Sequence, residues 1–295
     1  MSSSPVTCLP PQARVAVNRG RPSCRRVGQD EVVTDDTYAQ DTASRPIAPG
    51  RRQLTLTDRW NTPLGKPNGG YLLAAMLRGL AAEVEGAGDP LVASVSYLRS
   101  PEAGEAELVT EPIRVGRRVQ TASATLSQEG KGVAHLVANF AGRPDGGRTE
   151  ELGEAPQLPD PEQCFDPLAS GMKPEGIFGQ VEYRLPGAPG WATGAPSGDP
   201  SALLWQRLRG GREVDFPALA LLCDSYAPPV MEIGESVSMT VQLTVHLHRL
   251  PAPGWIATRL HTRHVVNGFH EEDCELWDSE GKLVAQSRQL AILLG

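Results

Sequence analysis

The sequence predicts an α+β protein in which one structural unit is used twice, and three observations carry that prediction. The first is self-similarity. "QEGKGVAHLVANFAG" (128–142) is echoed by "SEGKLVAQSRQLAILLG" (279–295), so that Glu129, Gly130, Lys131, Val133 and Ala134 fall on Glu280, Gly281, Lys282, Val284 and Ala285. The second is order: each half has strand-like sequence, then one run of helix formers, then four strand-like stretches punctuated by turn residues. The third is length, since 295 residues suit two ordinary domains better than one large core.

Residues 1–50 are expected to form a disordered or weakly ordered extension. Met1 to Gly28 has arginines, serines and prolines but no acid, a composition similar to a transit peptide, and it lacks the apolar stretch of a secretory signal. From Arg51, "RRQLTLTDRW" alternates like a strand, "NTPLGKPNGG" is turn chemistry, and "YLLAAMLRGLAAEVEG" is a helix stopped by Gly86 and Gly88. Four strand-like stretches follow, and the first unit spans 51–142. The Pro- and Gly-rich acidic segment 143–175 reads as a linker.

The second unit, 176–295, repeats the order. "IFGQVEYRLPG" and "ALLWQRLRG" are strand-like, Asp215 is placed to cap a helix that tolerates Pro217 in its first turn, and "FPALALLCDSYAPPVMEIG" is the second helix. The second meander runs from "SVSMTVQLTVHLHRLP" to "KLVAQSRQLAILL", with Asn267 and Gly268 as a hairpin turn. One such unit leaves a sheet edge unpaired. Joining two copies edge to edge covers it, so two long central helices, each wrapped by an antiparallel sheet, should share one continuous sheet.

Composition narrows the function. A net charge of −7 and a pI near 5.5 leave no basic face to follow a phosphate backbone, so nucleic acid is not an expected partner. No apolar run reaches the roughly 20 residues of a membrane helix, which points to a cytoplasmic protein without a membrane partner. Five scattered cysteines (Cys8, Cys24, Cys164, Cys223, Cys274) include no C-x-x-C pair. There is no G-x-S-x-G elbow, no H-E-x-x-H and no phosphate-binding glycine loop, so neither a cofactor nor a metal is expected. "HEED" (270–273) has a metal-like composition, but it follows a hairpin turn, where charges usually mark a solvated face. His246, His248, His261 and His264 alternate on strand-like segments and read as surface or cross-strand residues.

Three polar positions break the repeat. Opposite Gln289 the first copy has Ala138, and near Asp224 and Thr240 it offers Ala74 to Met76 and Pro90 or Leu91. Gln289 shares its strand face with Leu283, Ala285, Ser287, Ala291 and Leu293, and a buried amide without partners is costly, so a polar cluster is expected there. Taken alone, Asp224 also reads as a solvated residue near the Pro228–Pro229 break. Thr240 lies on the polar side of a clean alternation and would turn inward only if a bulge or strand end occurred near Met239.

From Arg51 to Gly295 the chain resembles the double-hotdog acyl-CoA thioesterases of the thioesterase II type, especially their actinobacterial relatives. Three stretches carry the resemblance residue by residue: "LLCDSYAPP" with Asp224, "MTVQLTVHLHR" with Thr240 and "VAQSRQLAIL" with Gln289; "NGGYLLAAMLRGL" also resembles the family's helix start. The resemblance implies a tandem double hotdog and a lipid-metabolic hydrolase whose Asp, Thr and Gln hold an attacking water. It implies an acyl-CoA or acyl-carrier substrate and leaves assembly into a homo-oligomer open. Asn68, Gly69, Gly70 and Tyr71 are the expected substrate or oxyanion residues, because a helix start offers backbone N–H groups and glycine permits close approach. The acyl chain would lie between the helices, with Tyr71, Met76, Tyr226 and Met231 placed to set its length. Two alternatives remain at this level: a biosynthetic hotdog hydrolase or dehydratase acting on carrier-bound acyl groups, and a noncatalytic acyl-CoA-binding module.

Overall fold

The computed structural model describes residues 36–84, 86–144 and 146–294. The readings of Met1 to Gly28, Cys8 and Cys24 lie outside the described residues. Residues 36–50, expected in the extension, instead belong to the fold: α1 (Thr37–Asp41) is followed by β1 (Ser44–Ala48), which pairs with β2 (Arg51–Leu56). Aromatic burial holds this segment. The Tyr38 ring meets Trp60 edge-on at 6.0 Å, and Trp60 Nε1 donates to Asp41 Oδ2 at 2.8 Å.

The central helix α2 (Gly69–Ala81) is capped by Asn68, whose Oδ1 accepts from the Tyr71 N–H at 2.9 Å. Most of its residues are buried on every side, as befits a helix enclosed by a sheet and a second helix. The first meander follows as β3 (Asp89–Tyr97), β4 (Gly104–Val115), β5 (Gln120–Gln128) and β6 (Lys131–Ala141).

In the second half, the stretch expected as one strand opens with a helical turn, α3 (Ile177–Gln180), before β7 (Val181–Arg184). Then come α4 (Gly190–Thr193), β8 (Ser201–Leu208), α5 (Phe216–Leu222), β9 (Ser238–Leu247), β10 (Ile256–His261), β11 (Val265–Val266), β12 (Phe269–Trp277) and β13 (Leu283–Leu293). The β11–β12 hairpin turns on Asn267 and Gly268, both at positive φ (52° and 79°), as the sequence predicts.

Helix α5 starts where expected, with Asp215 accepting from the Ala218 N–H at 2.8 Å, but it is only 7 residues long. Pro228 and Pro229 cannot donate to the preceding turn, and after them the chain runs as a 3-10 segment, Pro229–Ile233. The carbonyls left open are taken by distant side chains: Gln206 Nε2 donates to Leu222 O (3.0 Å), Asn68 Nδ2 to Asp224 O (2.7 Å) and Tyr183 OH to Ser225 O (2.6 Å). The early end of α5 is therefore satisfied rather than frayed.

The strands form one antiparallel sheet in the order β1-β2-β4-β5-β6-β3-β9-β13-β12-β10-β8-β7, with β11 paired to β12. The order is palindromic about the β3–β9 seam, where Ser94 pairs with Thr244 and their hydroxyls meet at 2.8 Å. This is a tandem hotdog: two central helices packed on each other and wrapped by a shared sheet. In register, β13 is the partner of β6 and β12 the partner of β5.

Candidate active site

Asp224, Thr240 and Gln289 are brought together around one cavity of about 360 Å³, which Asn68, Gly69, Tyr97 and Glu272 also line. Each arrives by a different structural device. Asp224 sits just beyond α5, half-buried, in the turn between Leu222, where the helix ends, and Pro228. Burial pushes its carboxyl up from 3.8 to about 7, partly offset by the backbone N–H of Gly70.

Thr240 is turned inward by a bulge. Along β13, Leu290 pairs with Gln242 but Ala291 pairs with Thr240, so Val241 is the extra residue on β9. On one side of the bulge Leu243, Val245 and Leu247 face the core; on the other the phase reverses, leaving Thr240 half-buried at the cavity and Met239 exposed at its rim. The required irregularity exists, two residues along from Met239.

Gln289 is 5% exposed on β13, and its amide is engaged at both ends. Thr240 Oγ1 donates to Gln289 Oε1 at 2.8 Å, and Gln289 Nε2 donates to Glu272 Oε1 at 2.8 Å. Glu272 lies directly across the β12–β13 ladder from Gln289, as Ala122 lies across from Ala138 in the first half. The polar pair of one half is thus an alanine pair in the other.

The start of α2 reaches the site from the opposite half. A Cβ on Gly69 would stand 2.7 Å from Asp224 Oδ2, and one on Gly70 would stand 2.6 Å from Leu221 O and 3.0 Å from Asp224 Cβ. Only glycine lets the two backbones approach this closely. Tyr97 OH donates to Gly69 O at 2.7 Å and closes that side of the cavity. Tyr71 does not join the group: its N–H is used by the Asn68 cap, its ring stacks on Trp60 at 5.5 Å, and its hydroxyl donates to Asp41 O at 2.9 Å. Tyr71 is a core residue, as is Met76, whereas Tyr226 does line the cavity.

Glu272 is the site residue that sequence reasoning misses, because the composition of "HEED" points to a solvated face. Instead His270 and Glu272 are buried at 1% and 4%, with His270 Nε2 and Ser238 Oγ 2.7 Å apart. The available signal was phase: counting back in twos from the apolar Leu276 and Cys274 reaches Glu272 and His270. Among the other histidines, His246, His248 and His264 are exposed, and His261 lies 3.3 Å from Asp273.

Residues 56–141 match the acyl-CoA thioesterase N-terminal domain and residues 151–293 match the acyl-CoA thioesterase C-terminal domain; the chain belongs to this family. It is 29% identical over 264 residues to the uncharacterized protein Rv0499 of Mycobacterium tuberculosis, covering 81% of this chain and 89% of that one. Among solved structures, a candidate thioesterase II from Thermobifida fusca superposes with a TM-score of 0.77 at 28% identity, covering 87% of this chain and 97% of that one. The acyl-CoA thioesterase II TesB2 of Mycobacterium marinum shares the fold, with a TM-score of 0.69 at 16% identity over 87% and 97% of the two chains.

Proposed function

We propose that this protein hydrolyses an acyl-CoA thioester to the free acid and coenzyme A, with Asp224, Thr240 and Gln289 as the catalytic residues. The observation that carries the proposal is the convergence of these three side chains on one cavity, against the glycine-rich start of α2. Thr240 spends its proton on Gln289 Oε1, so its oxygen is left as an acceptor toward the cavity, and Gln289 keeps one N–H in hand beyond the one given to Glu272. A water there donates to Asp224 and Thr240 and accepts from Gln289.

As the water oxygen attacks the thioester carbon, Asp224 takes its proton. The tetrahedral oxyanion collapses, the C–S bond breaks, and the proton passes to the departing thiolate. With a pKa of about 7, Asp224 is matched to this exchange near neutral pH. The start of α2 supplies the positive end of a helix dipole for the oxyanion. Arg99 lines the same cavity and offers positive charge to the phosphates of a coenzyme A carrier, and Lys66, ion-paired with Glu102, lines it too.

The test is thiol release from a panel of acyl-CoA esters of different chain length. Hydrolysis that disappears in Asp224→Asn supports the reading. An unsaturated product without free thiol, or binding without turnover, overturns it in favour of a dehydratase or an acyl-CoA-binding module.

A further inference from the structure

We propose that Glu272 is a positioning residue of this site, clamping the Gln289 amide in the one orientation that turns its carbonyl to Thr240 and frees its second N–H for the substrate water. The inference rests on the thioesterase reading for its kinetic arm and on the geometry for the rest. Glu272 Oε1 accepts from Gln289 Nε2 at 2.8 Å, while Glu272 Oε2 is buried without a hydrogen-bond partner, and the residue lines the cavity.

A carboxylate so placed costs the fold stability, and the first half shows that the fold does not need one: Ala122 and Ala138 fill the equivalent ladder positions and are buried at 2% and 0%. Glu272 and Gln289 therefore depart from alanine as a pair, at facing positions, in the half that carries Asp224 and Thr240. A neutral carboxyl fits what surrounds it. With the proton on Oε2, Oε1 still accepts from the amide and no second negative charge is buried near Asp224. Burial first, and then the charge of Asp224, hold the Glu272 carboxyl well above the ordinary carboxylate range in this direction.

The clamp acts through a chain of two hydrogen bonds. If the Gln289 amide flipped, its carbonyl would face Glu272 Oε1 and its N–H groups would face Thr240, so the Thr240 hydroxyl would lose its acceptor and swing its proton into the cavity. The water would then meet a donor where it needs an acceptor. Glu272 touches neither water nor substrate in this scheme.

The experiment compares wild type with Glu272→Leu and Glu272→Gln by kcat and KM for thiol release, by thermal unfolding, and by 1H–15N spectra of the Gln289 side-chain amide, assigned by its loss in Gln289→Ala. Glu272→Leu is expected to lower kcat by about 10-fold or more with little change in KM. Glu272→Gln restores an acceptor and is expected to return kcat to within about 3-fold of wild type. The Gln289 amide protons should be held in wild type and Glu272→Gln, and should average toward a free amide in Glu272→Leu.

Wild-type turnover in Glu272→Leu, an unchanged amide signal there, or a Glu272→Gln variant as impaired as the leucine variant would overturn the clamp. If Glu272→Leu does not fold, Glu272→Ala, which copies Ala122, is read in the same way. A wild-type protein that releases no thiol from any ester sinks the thioesterase reading on its own, and the amide spectra then decide the clamp.

Discussion

Replacing Asp224 with Asn removes one charge at the head of the cavity and keeps an oxygen for the Gly70 N–H. Because the folded protein lifts this carboxyl from 3.8 to about 7, it binds the proton more tightly than the unfolded chain does between those pH values. Stability contributed by the neutral form is therefore lost as pH rises through that window, with the unfolded chain the first to ionise. At about 1.4 kcal/mol per pKa unit the full effect is roughly 4 kcal/mol, an upper bound. The side chain is half-buried and opens on a cavity, so screening reduces this to about 1–3 kcal/mol.

Asp224→Asn should thus raise the unfolding temperature by roughly 2–10 °C at pH 8. The gain should shrink as pH falls through the window and vanish below about pH 3, where Asp224 is neutral in both states. Turnover should be abolished, since an amide cannot take the proton of water. The assay pairs thermal unfolding across about pH 3–9 with thiol release. A variant no more stable than wild type at pH 8, or a gain that persists undiminished in acid, would refute the argument that burial strains this carboxylate.

Wild-type turnover should rise with pH through about 7, as Asp224 loses its proton and becomes a base, and a pH–rate profile flat from 5 to 9 would contradict its role. Gln289→Ala should lower turnover about 10- to 1000-fold. It should also destabilise the fold by about 1–3 kcal/mol, because Thr240 and Glu272 both lose their partner. Adding Glu272→Ala reproduces the Ala122–Ala138 pair and should recover most of that stability without activity, as calorimetry can check. Gly70→Ala should cost about 1–3 kcal/mol and most of the activity, since its methyl would stand 2.6 Å from Leu221 O and push α2 away from Asp224; a variant with wild-type unfolding and turnover would show that the contact is slack.

The features legible in the sequence are local or periodic. The strand phases, the Asp215 cap, the Asn267–Gly268 turn and the repeat around Glu129 and Glu280 all rest on interactions between neighbours in the chain, which composition and spacing record directly. The repeat also singled out Gln289, because a polar residue opposite an alanine is visible without coordinates. The remaining features depend on contacts between distant parts of the chain. In β12, "HEED" has the composition of a solvated face; its phase from Leu276 and Cys274 turns Glu272 inward, but it is the pairing with Gln289 that makes Glu272 part of the site. Helix α5 could end at Leu222 because Gln206, Asn68 and Tyr183, all distant in sequence, cap its open carbonyls. Thr240 faces the cavity because β13 sets a register that leaves Val241 unpaired, and Tyr71 leaves the site because Trp60 and Asp41 claim its ring and hydroxyl. In each case the deciding partner lies far along the chain, and burial free energy, which depends on who is beside whom, overrides a local pattern that is silent about it.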